Sequence, residues 1–143
     1  EPFMKLGAPW IESKQLLDAM LPFLHKLDEV DTVSFIPRSM PGKSAYPKYQ
    51  DEVCYGIKIL DLKDPIEWTV HLFAILKPIY PVKFQFLESN FIDKLYGSDR
   101  LRLSVLENRN INILIEISQN HKGEFLQKRE KYLIYDPLKN QNK

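Results

Sequence analysis

Early in the chain, apolar residues recur at helical spacing at Leu16, Leu17, Met20 and Leu21, and Ser13 stands where a capping hydroxyl would open that helix. Pro22 removes an internal hydrogen bond, so the segment reads either as one kinked helix to about residue 27 or as two turns followed by a second short turn. The period then changes to alternation in Thr32-Val33-Ser34-Phe35-Ile36-Pro37, a strand stopped by proline. Arg38 to Asp51 carries Pro41, Gly42, Pro47 and two tyrosines with no apolar period, and a run of that length without regular structure is either functional or mobile. A second strand follows at 53–61, where Gly56 marks a bulge or a close approach of another backbone.

Asp64-Pro65-Ile66-Glu67 opens a helix over 65–79. Asp64 is its N-cap, Pro65 its first residue and Glu67 the partner of a capping box, while Ile66, Val70, Phe73, Ala74 and Leu76 make one apolar face. Pro78 and Pro81 are expected to end it. Phe84-Gln85-Phe86 leads to a helical turn from Ser89 to Tyr96 closed by Gly97, and Asp99 can cap another from Arg100 to about Asn108. A long helix is expected over 110–131 with Ile111, Ile115, Phe125 and Leu126 on its buried side, then a short strand Tyr132-Leu133-Ile134-Tyr135. This order lacks the regular alternation of a doubly wound sheet. It predicts an α+β fold: one domain over 1–136, with a small, mainly antiparallel sheet from 32–37, 53–61 and 132–135 packed with several helices, and a disordered tail at 137–143.

Composition narrows the function classes. With 143 residues and 44% of them hydrophobic, the chain can bury a core without metal or disulfide staples. Twenty Lys+Arg against 19 Asp+Glu leave a net charge of +1, too small a field to gather nucleic acid or anionic lipid. No apolar stretch reaches the length of about 18 residues needed for membrane insertion. The single cysteine, Cys54, allows no internal bridge and reports no redox compartment. Because the chain opens Glu1-Pro2-Phe3 without an initiator Met, further sequence upstream is expected.

Candidate chemistry is sparse. His25, His71 and His121 are far apart, and none has the spacing of a metal pattern, so no metal or cofactor is expected. Glu67 and His71 are four apart on one helix and read as a surface pair. Cys54, in mid-strand, reads as a small buried residue, and Asp51, Glu52 and Glu116 as solvated charges; no catalytic residue is assigned. The aromatic loop is the sharper feature. Tyr46, Lys48 and Tyr49, with Arg38, offer flat apolar faces and hydrogen-bond donors suited to a sugar or other polar ligand; alternatively the tyrosines only cover the core.

Four segments in register are similar to one family. They are Pro2-Phe3 with Gly7-Ala8-Pro9-Trp10; Phe35-Ile36-Pro37; Lys48-Tyr49-Gln50-Asp51-Glu52-Val53-Cys54-Tyr55-Gly56-Ile57; and Phe91-Ile92-Asp93-Lys94-Leu95-Tyr96-Gly97, running on through Arg100, Phe125 and Arg129 to Tyr132-Leu133-Ile134-Tyr135. The order resembles the C-terminal portion of the exo-β-N-acetylmuramidases of the NamZ type, formerly a bacterial domain of unknown function. The resemblance implies a glycoside hydrolase that releases terminal N-acetylmuramic acid from peptidoglycan fragments. It also implies a larger Rossmann-like domain ahead of this one, an active site in the cleft between the two, and a catalytic carboxylate upstream of Glu1.

On that likeness the chain would be an ancillary domain, inactive alone. Its partners would be the missing N-terminal domain and a muramic-acid-containing saccharide, its place the bacterial cell envelope, and its task cell wall recycling. The resemblance puts one wall of the sugar cleft on Trp10, Tyr46, Lys48, Tyr49 and Tyr55 as substrate-binding residues. The competing expectation is a stand-alone interaction module without catalytic activity. On either view Phe3 and Trp10 are expected to form an apolar patch near the N-terminus that meets a partner.

Overall fold

Gly56 interrupts the most apolar strand of the chain, and the reason lies in the strand beside it. In a computed structural model, which describes residues 4–26 and 28–134, Gly56 belongs to the central strand of a three-stranded antiparallel sheet. The strands are β1 (Lys5–Ala8), β2 (Glu29–Phe35) and β3 (Cys54–Asp61), in the order β1-β3-β2. Gly56 pairs with Gly7 on one side and Val33 on the other. A Cβ built on Gly56 would lie 1.9 Å from the Leu6 carbonyl oxygen and 2.7 Å from the Gly7 Cα, so only glycine admits β1 at this distance.

The third strand corrects the sequence reading. It comes from Lys5–Ala8 and not from 132–135: residues 132–134 form no strand, Tyr132 and Ile134 stand exposed, and Tyr135 lies outside the described residues, as does the tail at 137–143. The α+β architecture itself holds, with five α-helices on the small antiparallel sheet: α1 (Ser13–Met20), α2 (Pro65–Ile79), α3 (Phe91–Tyr96), α4 (Arg100–Leu106) and α5 (Asn112–Glu130).

Of the two forms open for the first helix, the chain takes the second: α1 spans two turns, and Pro22 sits in the separate 3₁₀ turn Leu21–Phe23. Its N-cap is Glu12 rather than Ser13. The Glu12 carboxylate accepts from Lys14 N (3.1 Å) and Gln15 N (2.5 Å), while the Ser13 hydroxyl donates across to the Val33 carbonyl at 3.4 Å. Asp64 caps α2 as expected, accepting from Glu67 N at 3.0 Å. Helix α2 continues through Pro78 to Ile79, because a proline this near the C-terminus forfeits only the hydrogen bond to Ala74. Asp99 occupies the N-cap position of α4 without a side-chain bond, and Gly97 closes α3 at φ 87°. Arg102 grips Asp93 through three contacts of 2.7–3.0 Å, tying α3 to α4.

The core lies between the sheet and the helices. Leu16 and Met20 of α1, Ile57 of β3 and Val70 of α2 are wholly or almost wholly excluded from solvent, and Leu101, Leu114 and Ile115 close the far side. Helix α5 departs from expectation here. Ile115 is buried together with Leu114, but Phe125 and Leu126 are exposed, because α5 runs on past the body it packs against. In β3, Ile57 and Ile59 pack in the helix-covered core, Tyr55 shares their parity but stands half-exposed, and Cys54 and Gly56 have the opposite parity.

Candidate functional site

The segment between β1 and α1 is short, and its geometry follows from its hydrogen bonds. Ile11 N donates to Ala8 O (3.2 Å), turning the chain so that Trp10 faces the C-terminal end of α2. There Trp10 meets the Tyr80 ring edge-on at 5.1 Å. The Tyr80 hydroxyl accepts from Glu12 N (2.9 Å) and donates to Gln15 Oε1 (3.3 Å), which fixes the ring that Trp10 leans on.

The loop from Arg38 to Val53 folds against this corner. Its tip is a tight turn, with Met40 and Ser44 bridged and Gly42 at φ 76°, and Ser39 Oγ donates to the Ala45 carbonyl at 2.7 Å. Its base is tied twice: Asp51 N donates to Pro37 O (2.9 Å), and Arg38 pairs with the Asp51 carboxylate at 3.0 Å. Positive φ at Tyr49 (59°) and Asp51 (63°) turns the chain sharply before β3, an uncommon conformation for residues other than glycine. In this geometry the Trp10 indole N–H donates to the Tyr49 hydroxyl at 3.0 Å, across 39 residues of sequence, and the Lys48 ammonium stands over the Tyr49 ring at 5.1 Å.

Of the five residues expected to bind substrate, three are brought together by direct contact: Trp10, Tyr49 and Lys48. Tyr55 joins Trp10 in lining a shallow depression of about 440 Å³ with Pro9, Ile11, Glu12 and Ser13. Tyr46 stands apart, 95% exposed near the loop tip. Tyr49 packs at the edge of the core as well, so in its case covering the core and facing the loop are one placement. Trp10 is half-buried against Tyr80 and Tyr49 rather than displayed as an open patch, and Phe3 lies outside the described residues. Tyr80 and Gln15 complete the corner; sequence reasoning passed over both, since each reads as an ordinary helix-associated residue.

The residues that line the depression include few titratable groups. Its one carboxylate, Glu12, has both oxygens engaged by the backbone of α1. Among the described residues no group of three His, Cys, Asp or Glu could hold a metal ion. Cys54 is buried, and burial first, then the charge of Glu52, pushes its thiol pKa up, away from the thiolate a nucleophile needs.

His71 is the one titratable group placed against expectation. It is buried rather than on the surface, stacked on Phe23 at 4.0 Å, with Glu67 at 3.9 Å from Nε2 and no hydrogen-bond partner for Nδ1 among the described residues. Burial lowers its pKa from 6.5, with Glu67 opposing in part. The unfolded chain therefore takes up a proton near pH 6.5 that the folded chain still refuses. Stability is full above that pH and declines as pH falls through the window between the unfolded and the lower folded pKa. Urea midpoints for the wild type should drop between pH 7 and 5, and a His71→Leu variant should lose most of that slope. Equal slopes in both proteins would assign the acid sensitivity to other groups.

The family model described as "Exo-beta-N-acetylmuramidase NamZ, C-terminal" matches residues 1–135. The peptidoglycan beta-N-acetylmuramidase NamZ of Bacillus subtilis (strain 168) is 27% identical over 139 residues, which are 94% of this chain and 32% of that protein. The chain thus spans about a third of the length of the curated relative it matches. No solved structure matches. With the family model matching residues 1–135 of 143, the chain belongs to the NamZ C-terminal family.

Proposed function

We propose that this chain is the carboxy-terminal part of a bacterial glycoside hydrolase of the cell envelope, one that removes N-acetylmuramic acid from the ends of peptidoglycan fragments. Its own part is one wall of the sugar-binding cleft. The observation that carries this reading is the chain of contacts from Trp10 through the Tyr49 hydroxyl to Lys48 over the Tyr49 ring, beside the Tyr55-lined depression. Muramic acid differs from other hexosamines in its lactyl carboxylate, and a lysine ammonium held in place by an aromatic ring is a ready partner for it. The half-exposed ring of Tyr55 offers the flat apolar surface on which a pyranose C–H face rests.

Glycoside hydrolysis ordinarily needs two carboxyl groups across the scissile bond. The depression is lined by one carboxylate, Glu12, already spent on capping α1, and in the adjoining loop Asp51 is paired with Arg38. The acid and base therefore come from the amino-terminal part of the same polypeptide, as the length of the Bacillus relative allows. The test compares two proteins on a saccharide with a terminal muramic acid. The full-length polypeptide should release N-acetylmuramic acid, and residues 1–143 alone should show no turnover. Turnover by the isolated chain would place the chemistry inside it; no release by the full-length protein would end the reading in favour of an interaction module.

A further inference from the structure

A second hollow, larger than the one at the Trp10 corner, lies elsewhere on the described residues. It is an open, mostly apolar groove of about 810 Å³ where the start of α2, the end of α3 and the middle of α5 meet, with Ile66, Leu95, Ile117 and Phe125 among its walls. Leu95 is 70% and Phe125 62% exposed, and Ile66 is about half exposed. Every residue of α5 from 121 to 130 is exposed; the first of these turns still edges the groove, with Lys122 3.8 Å from Asp64 and Phe125 in its wall, and the helix then runs on past it. Apolar side chains on a helix that outruns its own core mark a surface built for a partner.

The groove and the Trp10 corner lie at opposite ends of α2. Asp64 and Pro65 line the first and Tyr80 anchors the second, a helix length of about 22 Å. A domain of two hundred residues or more spans roughly 35–40 Å and can reach both. The occupant follows from where the missing length lies. The matched family is a C-terminal one, and about two thirds of the Bacillus relative lies outside the match.

We propose that the α2–α3–α5 groove docks the amino-terminal part of the same polypeptide, with the protruding end of α5 as the arm laid against it. This rests on the two-part architecture of the proposed function, though not on its substrate. The partner surface is an apolar patch with an acidic rim, because Lys128, Arg129 and Lys131 crowd the end of α5 against Glu124 and Glu130.

Hydrogen exchange on the full-length protein tests it, with Phe125→Glu and Leu95→Glu beside the wild type. Both side chains are mostly in water, so neither change touches the core. In the wild type, amides of 121–130 should exchange about tenfold or more slowly than in either variant, independent of protein concentration. Fast exchange there in the wild type would overturn the proposal. So would protection that appears only at high concentration with a doubled mass, which would make a second copy the occupant. Release of muramic acid is scored on the same samples. Protected α5 without activity would leave the dock and remove the substrate, and activity with unprotected α5 would do the reverse.

Discussion

Gly56→Ala is expected to cost about 3 kcal/mol or more, the largest effect of any single methyl in this chain. A Cβ at this position would sit 1.9 Å from the Leu6 carbonyl oxygen, 2.7 Å from Gly7 Cα and 2.9 Å from the Leu6 carbonyl carbon. All three are backbone atoms, which cannot rotate aside as a side chain would. Overpacking in a core costs about 1–3 kcal/mol when side chains can shift, and the upper end or beyond applies where a strand must move. Moving β1 away from β3 would also draw Leu6 and Ala8 out of the core and displace the Pro9–Trp10 turn that follows. Urea denaturation followed by far-ultraviolet circular dichroism gives the measurement. Gly123→Ala is the control: it lies in α5 with nothing within 4 Å of its Cβ, and should stabilise by about 0.5–1 kcal/mol through helix propensity. If Gly56→Ala fell within error of the wild type, the close approach of β1 and β3 would not exist in solution.

On the proposed function, Lys48→Ala in the full-length polypeptide is expected to weaken binding of a muramoyl substrate by about 1–3 kcal/mol, a rise in KM of roughly 5- to 150-fold. The reason is that the ammonium is held over Tyr49, and Tyr49 is held by Trp10, so little ordering remains to be done when the lactyl carboxylate arrives. Folding stability should change little, because Lys48 is exposed. Tyr49→Phe separates the roles, keeping the ring and removing the oxygen that receives the Trp10 N–H; its KM should rise less. Unchanged KM and kcat for Lys48→Ala, alongside a destabilised Tyr49→Ala, would reduce the stack to a covering of the core.

How much of this was legible beforehand follows the range of the interactions. The start of α2 could be read directly, since Asp64, Pro65 and Glu67 act within one turn of chain. So could β3, where Gly56 reads as either a bulge or a close approach and the pairing with Gly7 decides for the second. The partner strand was misread. Lys5-Leu6-Gly7-Ala8 has no β-branched or aromatic residue, whereas Tyr132-Leu133-Ile134-Tyr135 has the composition of a strand; what decides is that Gly7 can lie against Gly56 some fifty residues on. The same holds for His71, whose helical spacing from Glu67 suited a surface pair until Phe23 of a different element covered it. Phe125 and Leu126 have helical periodicity, but periodicity cannot say where the body beneath a helix stops.

Neighbouring residues alone set the local part of this protein: most helix starts and stops, the central strand, and the ordered motifs of a NamZ C-terminal domain. Contacts distant in sequence settle which strand completes the sheet, that Trp10 holds Tyr49 and Tyr49 carries Lys48, and that Tyr46 stands outside that group. The physical reason is distance along the chain. Caps and periods act between residues a few positions apart. Close packing of glycine backbones, and a hydrogen bond joining residues 10 and 49, exist only once the chain has closed on itself.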